Sequence, residues 1–152
     1  MQDKIRITKI FKFETGHALN GYDGLCKNIH GHSFKLSVTV IGKPIEDLKS
    51  PKKGMVIDFS ILKEIVINQI VVPFDHSTVL NITSPHVEFA TELEIRGLKI
   101  VRVDYQPTCE LMIQDFAKKI KKNLPKKIKL FSLKLKETDS SFAEWYSSDN
   151  EL

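Results

Sequence analysis

The sequence predicts an α+β domain, a four-stranded antiparallel sheet with two helices on one face. Three observations carry that expectation: two long alternating segments early in the chain, two amphipathic segments opened by capping residues, and two shorter alternating segments near the C-terminus. From Ile5 to Glu14 the alternation is imperfect, with Ile5 and Ile7 on one face and Arg6 and Thr8 on the other, which suits a half-exposed strand. From Ser33 to Ile41 it is cleaner. Phe34, Leu36, Val38 and Val40 share one face and Lys35, Ser37 and Thr39 the other, until Gly42-Lys43-Pro44 ends the strand. A polar, Gly-rich loop joins the two segments, so they are expected to pair as antiparallel neighbours. After the short apolar run Met55 to Asp58, Asp58 is a suitable N-cap for a helix to about Gln69, with Leu62, Ile65, Val66 and Ile70 as its stripe and Pro73 ending the stretch. A second helix opens at Pro107-Thr108, where Thr108 can cap and Glu110 suits the positive N-terminal end. It turns Leu111, Met112, Phe116, Ala117 and Ile120 inward and stops near Pro125. Strands over Lys127 to Glu137 and Ser141 to Tyr146 complete the order. The stretch Ile82 to Tyr105 carries only a weak strand signal, at Val101 and Val103. No repeat or linker divides the chain, so residues 1–152 are expected to form one domain.

Composition narrows the function classes. With 41% hydrophobic and 28% charged residues of mixed sign, the chain has the make-up of a globular protein rather than a disordered one. No apolar run is long enough to span a bilayer, and the N-terminal segment lacks the uninterrupted apolar stretch of a signal peptide, so a cytoplasmic protein without membrane contact is expected. Cys26 and Cys109 could pair on count alone, but a lone disulfide is not expected in a reducing compartment. The net charge of +4 owes much to the run KKIKKNLPKKIK from Lys118 to Lys129. Its simplest account is a solvated helix face and the turn after it. No aromatic interleaving or nucleic-acid-binding signature accompanies it, so no nucleic-acid partner is expected.

The segment Cys26-Lys27-Asn28-Ile29-His30-Gly31-His32 carries the strongest chemical signal. Two histidines one residue apart on a strand point to the same side, so both imidazoles can reach one metal, and Gly31 puts no side chain between them. His17 lies just past the preceding strand, where antiparallel pairing would bring it beside His30. Three neutral histidines leave a fourth position on zinc for water or substrate, the arrangement of a catalytic site. Cys26 as a fourth ligand would instead close the site as a structural zinc. Asp75, His76 and Glu137 are weak signals taken singly: an Asp-His pair usually marks a turn, and a Glu at a strand end is usually solvated. Cys109 reads as a packed small residue and His86 as a surface one.

Taken together, Phe13-Glu14-Thr15-Gly16-His17, Cys26 to His32, Gly54-Met55-Val56-Ile57-Asp58-Phe59, Phe74-Asp75-His76, Leu80-Asn81, Pro107-Thr108-Cys109-Glu110 and Glu137-Thr138 resemble the 6-pyruvoyl-tetrahydropterin synthase/6-carboxytetrahydropterin synthase family. The pieces occur in the family's order and cover most of the chain. The resemblance implies the tunnelling fold, which assembles through its sheets into trimers and then a hexamer, a dimer of trimers with shared active sites. It implies Zn2+ held by His17, His30 and His32, with Cys26 as the catalytic cysteine and Asp75 with His76 as the pair working opposite it. It implies that Glu137 anchors the pterin ring through its guanidine-like edge, an arrangement suited to a carboxylate. Thr108, Cys109 and Glu110 would line the pterin pocket from a neighbouring subunit. Two departures stand out: Ile82 to Tyr105 is longer than in compact members, and Leu111 replaces a common Asn.

Three residues separate Cys26 from His30, as in the 6-carboxytetrahydropterin branch, whereas the pyruvoyl branch usually has a longer interval. The implied activity is a carbon–carbon lyase that takes 7,8-dihydroneopterin triphosphate to 6-carboxy-5,6,7,8-tetrahydropterin, acetaldehyde and triphosphate, on the route to queuosine. Zinc would polarise the substrate's side-chain oxygens, Cys26 as thiolate would remove a proton, and His76 oriented by Asp75 would serve the opposite face. The alternatives are triphosphate elimination alone, as in 6-pyruvoyl-tetrahydropterin synthase, and a non-catalytic pterin-binding zinc module. Against the module stands the intact set Cys26, His76 and Glu137, because a binder needs the anchor but not the proton carriers.

Overall fold

The computed structural model describes residues 3–150. Strands β1 (Ile5–His17) and β2 (His30–Gly42) form a long antiparallel pair, in register from Ile5 opposite Gly42 to His17 opposite His30. On β2's other side lie β5 (Lys129–Lys136) and then β6 (Phe142–Tyr146), both antiparallel. These four strands and their order agree with the alternation in the sequence.

The sheet does not stop there. β3 (Ser77–Asn81) pairs parallel to the end of β1, and β4 (Ile100–Val103) pairs parallel to β3, giving the order β4-β3-β1-β2-β5-β6. The expected four-stranded antiparallel sheet is therefore corrected to a mixed sheet of six. β3 was hidden by its length of five residues directly after a turn, and β4 by its four.

Helix α1 (Phe59–Val66) is capped by Asp58, whose side chain accepts the Ser60 N–H, and it runs through a wide π turn (Ile67–Val71) into α2 (Val72–Phe74). The π turn precedes Pro73, which has no N–H to donate to the helix ladder. A third helix, α3 (His86–Ile95), crosses between β3 and β4. Only its Ala90 is fully buried, so the sequence there shows no apolar stripe. α4 (Cys109–Asn123) is capped by the Thr108 hydroxyl, which accepts the Leu111 N–H.

α1, α2 and α4 cover one face of the sheet. Phe13 and Phe34 stack across β1 and β2 with centroids 5.5 Å apart, and Phe116 of α4 meets both Phe13 and Phe74 edge-on. The lysine run behaves as a solvated face: Lys119 Nζ lies 2.6 Å from Asp115, and Lys121 lies over the Trp145 ring. Among the described residues no helix is long and apolar enough to cross a membrane.

Candidate metal centre and active-site cavity

At one end of the sheet the strand register sets three imidazoles on the helix-covered side. His17 ends β1, His30 begins β2 directly opposite, and His32 follows two residues on. Close pairing requires the glycines between them: a Cβ on Gly31 would come 3.1 Å from the Thr15 carbonyl oxygen, so Gly31 serves the approach of β1 as well as the gap between its neighbours. The nearest ring nitrogens of His17, His30 and His32 lie within 4.8 Å of one another.

Hydrogen bonding orients two of the rings. His17 Nδ1–H donates to the Pro107 carbonyl at 2.6 Å, and His30 Nδ1–H donates to the Asn28 carbonyl at 2.8 Å. Because a carbonyl only accepts, each bond places the proton on Nδ1 and leaves Nε2 with a free lone pair. Both Nε2 atoms are buried and have no hydrogen-bond partner. Burial drives the His17 imidazole down to about 4 despite the Pro107 carbonyl, with His30 and His32 adding to the effect, so the ring is neutral at physiological pH. Two imidazoles whose buried Nε2 lone pairs are orphaned and oriented by bonds at Nδ1 suit a bound metal ion. The donor set fits zinc.

The imidazoles open into a cavity of about 430 Å³ that Cys26, Thr108, Cys109, Glu110 and Glu137 also line. Cys26 sits in a short 3-10 turn (Leu25–Lys27), and its carbonyl is tied back by the Leu19 N–H. Glu137 directly follows β5, and its Oε1 lies 3.8 Å from His17 Nε2 and 3.9 Å from His32 Nε2. Cys109 is buried, its thiol donates to the Leu135 carbonyl, and burial followed by the Glu137 charge pushes it up to about 12. It is a wall rather than a nucleophile. Both cysteines are free.

Thr108, Cys109 and Glu110 line the cavity of their own chain. The Cys109–Leu135 bond and the Pro107–His17 bond hold this segment against the chain's own sheet. The residues absent from the cavity are Asp75 and His76. They lie after α2, clipped to β1: the His76 N–H donates to the Glu14 carbonyl at 2.7 Å, and Asp75 Oδ1 accepts the Glu14 N–H at 2.8 Å. That backbone donor, with His76 next, holds the Asp75 carboxyl below its ordinary range. Asp75 Oδ2 meets His76 Nδ1 at 2.9 Å, while the His76 side chain is 79% exposed. His76 also has φ of +54°, a left-handed conformation of the kind held at functional sites.

Two supports went unseen in the sequence. Lys99 donates Nζ hydrogen bonds of 2.7 Å to the Val72 and Asp75 carbonyls, fixing the turn that presents His76. Gln106 exchanges two hydrogen bonds with the Asn20 backbone, tying the loop after His17. A lone Lys and a lone Gln beside an unassigned stretch give no sequence signal. His86, expected at the surface, is half-buried, with Nδ1 enclosed.

The likeness extends to known proteins at the level of sequence. Residues 6–148 match the profile of the 6-pyruvoyl tetrahydropterin synthase family, and the chain belongs to that family. It is 36% identical over 141 residues to a 6-carboxy-5,6,7,8-tetrahydropterin synthase of Haemophilus influenzae, covering 92% of this chain and 97% of that protein. It is 31% identical over 143 residues to a protein of the same name from Rickettsia typhi, covering 92% and 99%. The fold is shared with a 6-pyruvoyl tetrahydropterin synthase of Caenorhabditis elegans, at a TM-score of 0.67, 20% identity and coverage of 95% and 96%. It is also shared with an uncharacterized protein of Wolinella succinogenes, at a TM-score of 0.76, 21% identity and coverage of 95% and 98%.

Proposed function

We propose that this chain is a cytoplasmic, zinc-dependent lyase that converts 7,8-dihydroneopterin triphosphate to 6-carboxy-5,6,7,8-tetrahydropterin, acetaldehyde and triphosphate, in queuosine biosynthesis. The observation that carries the reading is the single cavity in which three metal-competent imidazoles meet Cys26 and Glu137. The relatives named above and the three-residue Cys26–His30 interval favour the carboxy product. Zinc at the three imidazoles supplies Lewis-acid polarisation of the substrate's side-chain oxygens. Glu137 anchors the guanidine-like edge of the pterin, and Cys26 takes a proton from the substrate side chain. Asp75 holds Nδ1–H of His76, which leaves Nε2 to move a proton on the opposite face. Mass spectrometry of the products from dihydroneopterin triphosphate is the test. Acetaldehyde and the 6-carboxy pterin are expected; 6-pyruvoyl-tetrahydropterin without acetaldehyde would assign the chain to elimination alone.

His76 is 79% exposed and does not line the cavity that holds Cys26, so in a hexameric dimer of trimers it is free to serve a site shared with a neighbouring copy. On this reading a neighbour delivers His76 to each cavity. Mixed oligomers of Cys26→Ala and His76→Ala chains are expected to regain up to about a quarter of wild-type activity, because a random pairing leaves that share of sites with both groups intact. Heteromers that form and remain inactive would exclude this division.

A further inference from the structure

Residues 18–29 join the two strands that carry the imidazoles, and this loop is held along its length. The Leu19 N–H donates to the Cys26 carbonyl at 3.0 Å, which closes the loop on itself. Gln106 grips Asn20 from outside through hydrogen bonds of 3.2 and 2.9 Å. Within that frame the Tyr22 N–H donates to the Leu19 carbonyl at 3.4 Å, and the Lys27 N–H to the Gly24 carbonyl at 3.4 Å. Tyr22 and Cys26 therefore ride on one closed loop, and both line the metal cavity.

Gly24 sets where the Tyr22 ring lies. A Cβ at Gly24 would stand 2.5 Å from Tyr22 Cε1, 3.1 Å from Cζ and 3.2 Å from Oη. The ring thus rests directly on the Gly24 backbone, closer than any side chain at that position allows. Gly24 itself has φ of −109° and ψ of −170°, extended backbone that other residues adopt without strain. The position suits glycine for the space the ring takes, not for backbone freedom. Tyr22 is still 47% exposed, with aromatic surface open to water at the cavity. An aromatic ring on a cavity wall, placed by the backbone beneath it, is a preformed surface for a flat ligand.

We propose that Tyr22 is a substrate-contacting residue whose ring packs on the bound pterin, and that Gly24 is the residue that positions the ring. The assignment rests on the proposed function. There Glu137 holds the guanidine-like edge of the pterin and Cys26 works on the side chain at the other end. Because Tyr22 shares the loop of Cys26, its ring meets the ligand at that side-chain end. Binding then covers aromatic surface that water now touches, and the ring-on-ring contact adds to the gain from burial. The contact is made by the ring, so the hydroxyl is dispensable.

The test is calorimetric binding of dihydroneopterin to the zinc-loaded full chain, with zinc content and melting temperature measured for every variant. Tyr22→Ala is expected to weaken binding about tenfold and to raise KM for dihydroneopterin triphosphate by a similar factor, with a smaller change in kcat. Tyr22→Phe keeps the ring and should bind as wild type does. Gly24→Ala should weaken binding about as far as Tyr22→Ala, because its methyl group pushes the ring from its seat. In a Tyr22→Ala background, Gly24→Ala should add nothing, since it acts only through the ring. Leu25→Ala, which removes an 86% exposed side chain of the same loop outside the cavity, should match wild type. Zinc content and melting temperature are expected to stay near wild type throughout, so lost affinity is not a lost site. Wild-type affinity in Tyr22→Ala, or an equal loss in Tyr22→Phe, overturns the ring contact. A Gly24→Ala effect that persists without the ring overturns the positioning role. Loss of zinc in Tyr22→Ala would make the ring a prop of the metal site and overturn the assignment as well. Failure of the proposed function reads differently: wild type itself would then bind and turn over no pterin, and the assignment would fall with it.

Discussion

Cys26→Ala is expected to keep its metal and lose turnover of dihydroneopterin triphosphate by about 10²–10⁴-fold, the range for removing a positioned acid or base. The three imidazoles already converge without the thiol, which stands on the cavity wall in its own short turn. A metal ion nearby favours the thiolate, the form a base requires. The measurement is paired: bound zinc and released acetaldehyde in wild type and variant. A variant that loses zinc along with activity would make Cys26 a fourth ligand and the site a closed structural one. A variant with full turnover would remove the cysteine from the chemistry altogether.

His30→Ala or His32→Ala is expected to empty the metal site, taking zinc from about one per chain to near none and activity with it. Of the two, His30 is the better oriented, since its Nδ1–H bond to the Asn28 carbonyl sets the lone pair of Nε2 in advance. Because the metal binds the folded chain, stripping it with a chelator should lower the wild-type melting temperature while leaving either variant unmoved. Glu137→Gln serves as the counter-case. Its carboxylate lies within 4 Å of two ligand nitrogens, yet as a pterin anchor its replacement should leave zinc in place and weaken pterin binding. Full zinc in both histidine variants would dismiss the three-imidazole site, and loss of zinc in Glu137→Gln would make that carboxylate a ligand.

Legibility in the sequence followed the physics of each element. β1 and β2 alternate because one face is buried and the other is wet, and their antiparallel register alone was enough to expect His17 beside His30. Asp58 and Thr108 were visible as caps because each short polar side chain accepts an N–H of the first helical turn. β3 and β4 were not visible for a different reason: the parallel pairing of each comes from contacts distant in the chain, and five or four residues hold too few alternations to show it. The site divides the same way. The imidazoles follow from local spacing, whereas the separation of His76 from Cys26, and the presence of Thr108 to Glu110 in the chain's own cavity, depend on how α2 and α4 dock.

The segment from β3 through α3 and β4 to the start of α4 meets the imidazole end of the molecule at few points. Lys99 reaches back to the Asp75 turn, Gln106 grips Asn20, and Ala90 and Leu93 pack on Ala18 and Leu80. The rest of α3 faces outward, including the exposed Phe89 and Ile95. Because closure entropy grows only slowly with loop length, residues added to or removed from this outer part change stability little. Length can therefore drift here during evolution while the three-imidazole geometry is inherited intact from the β1–β2 pair.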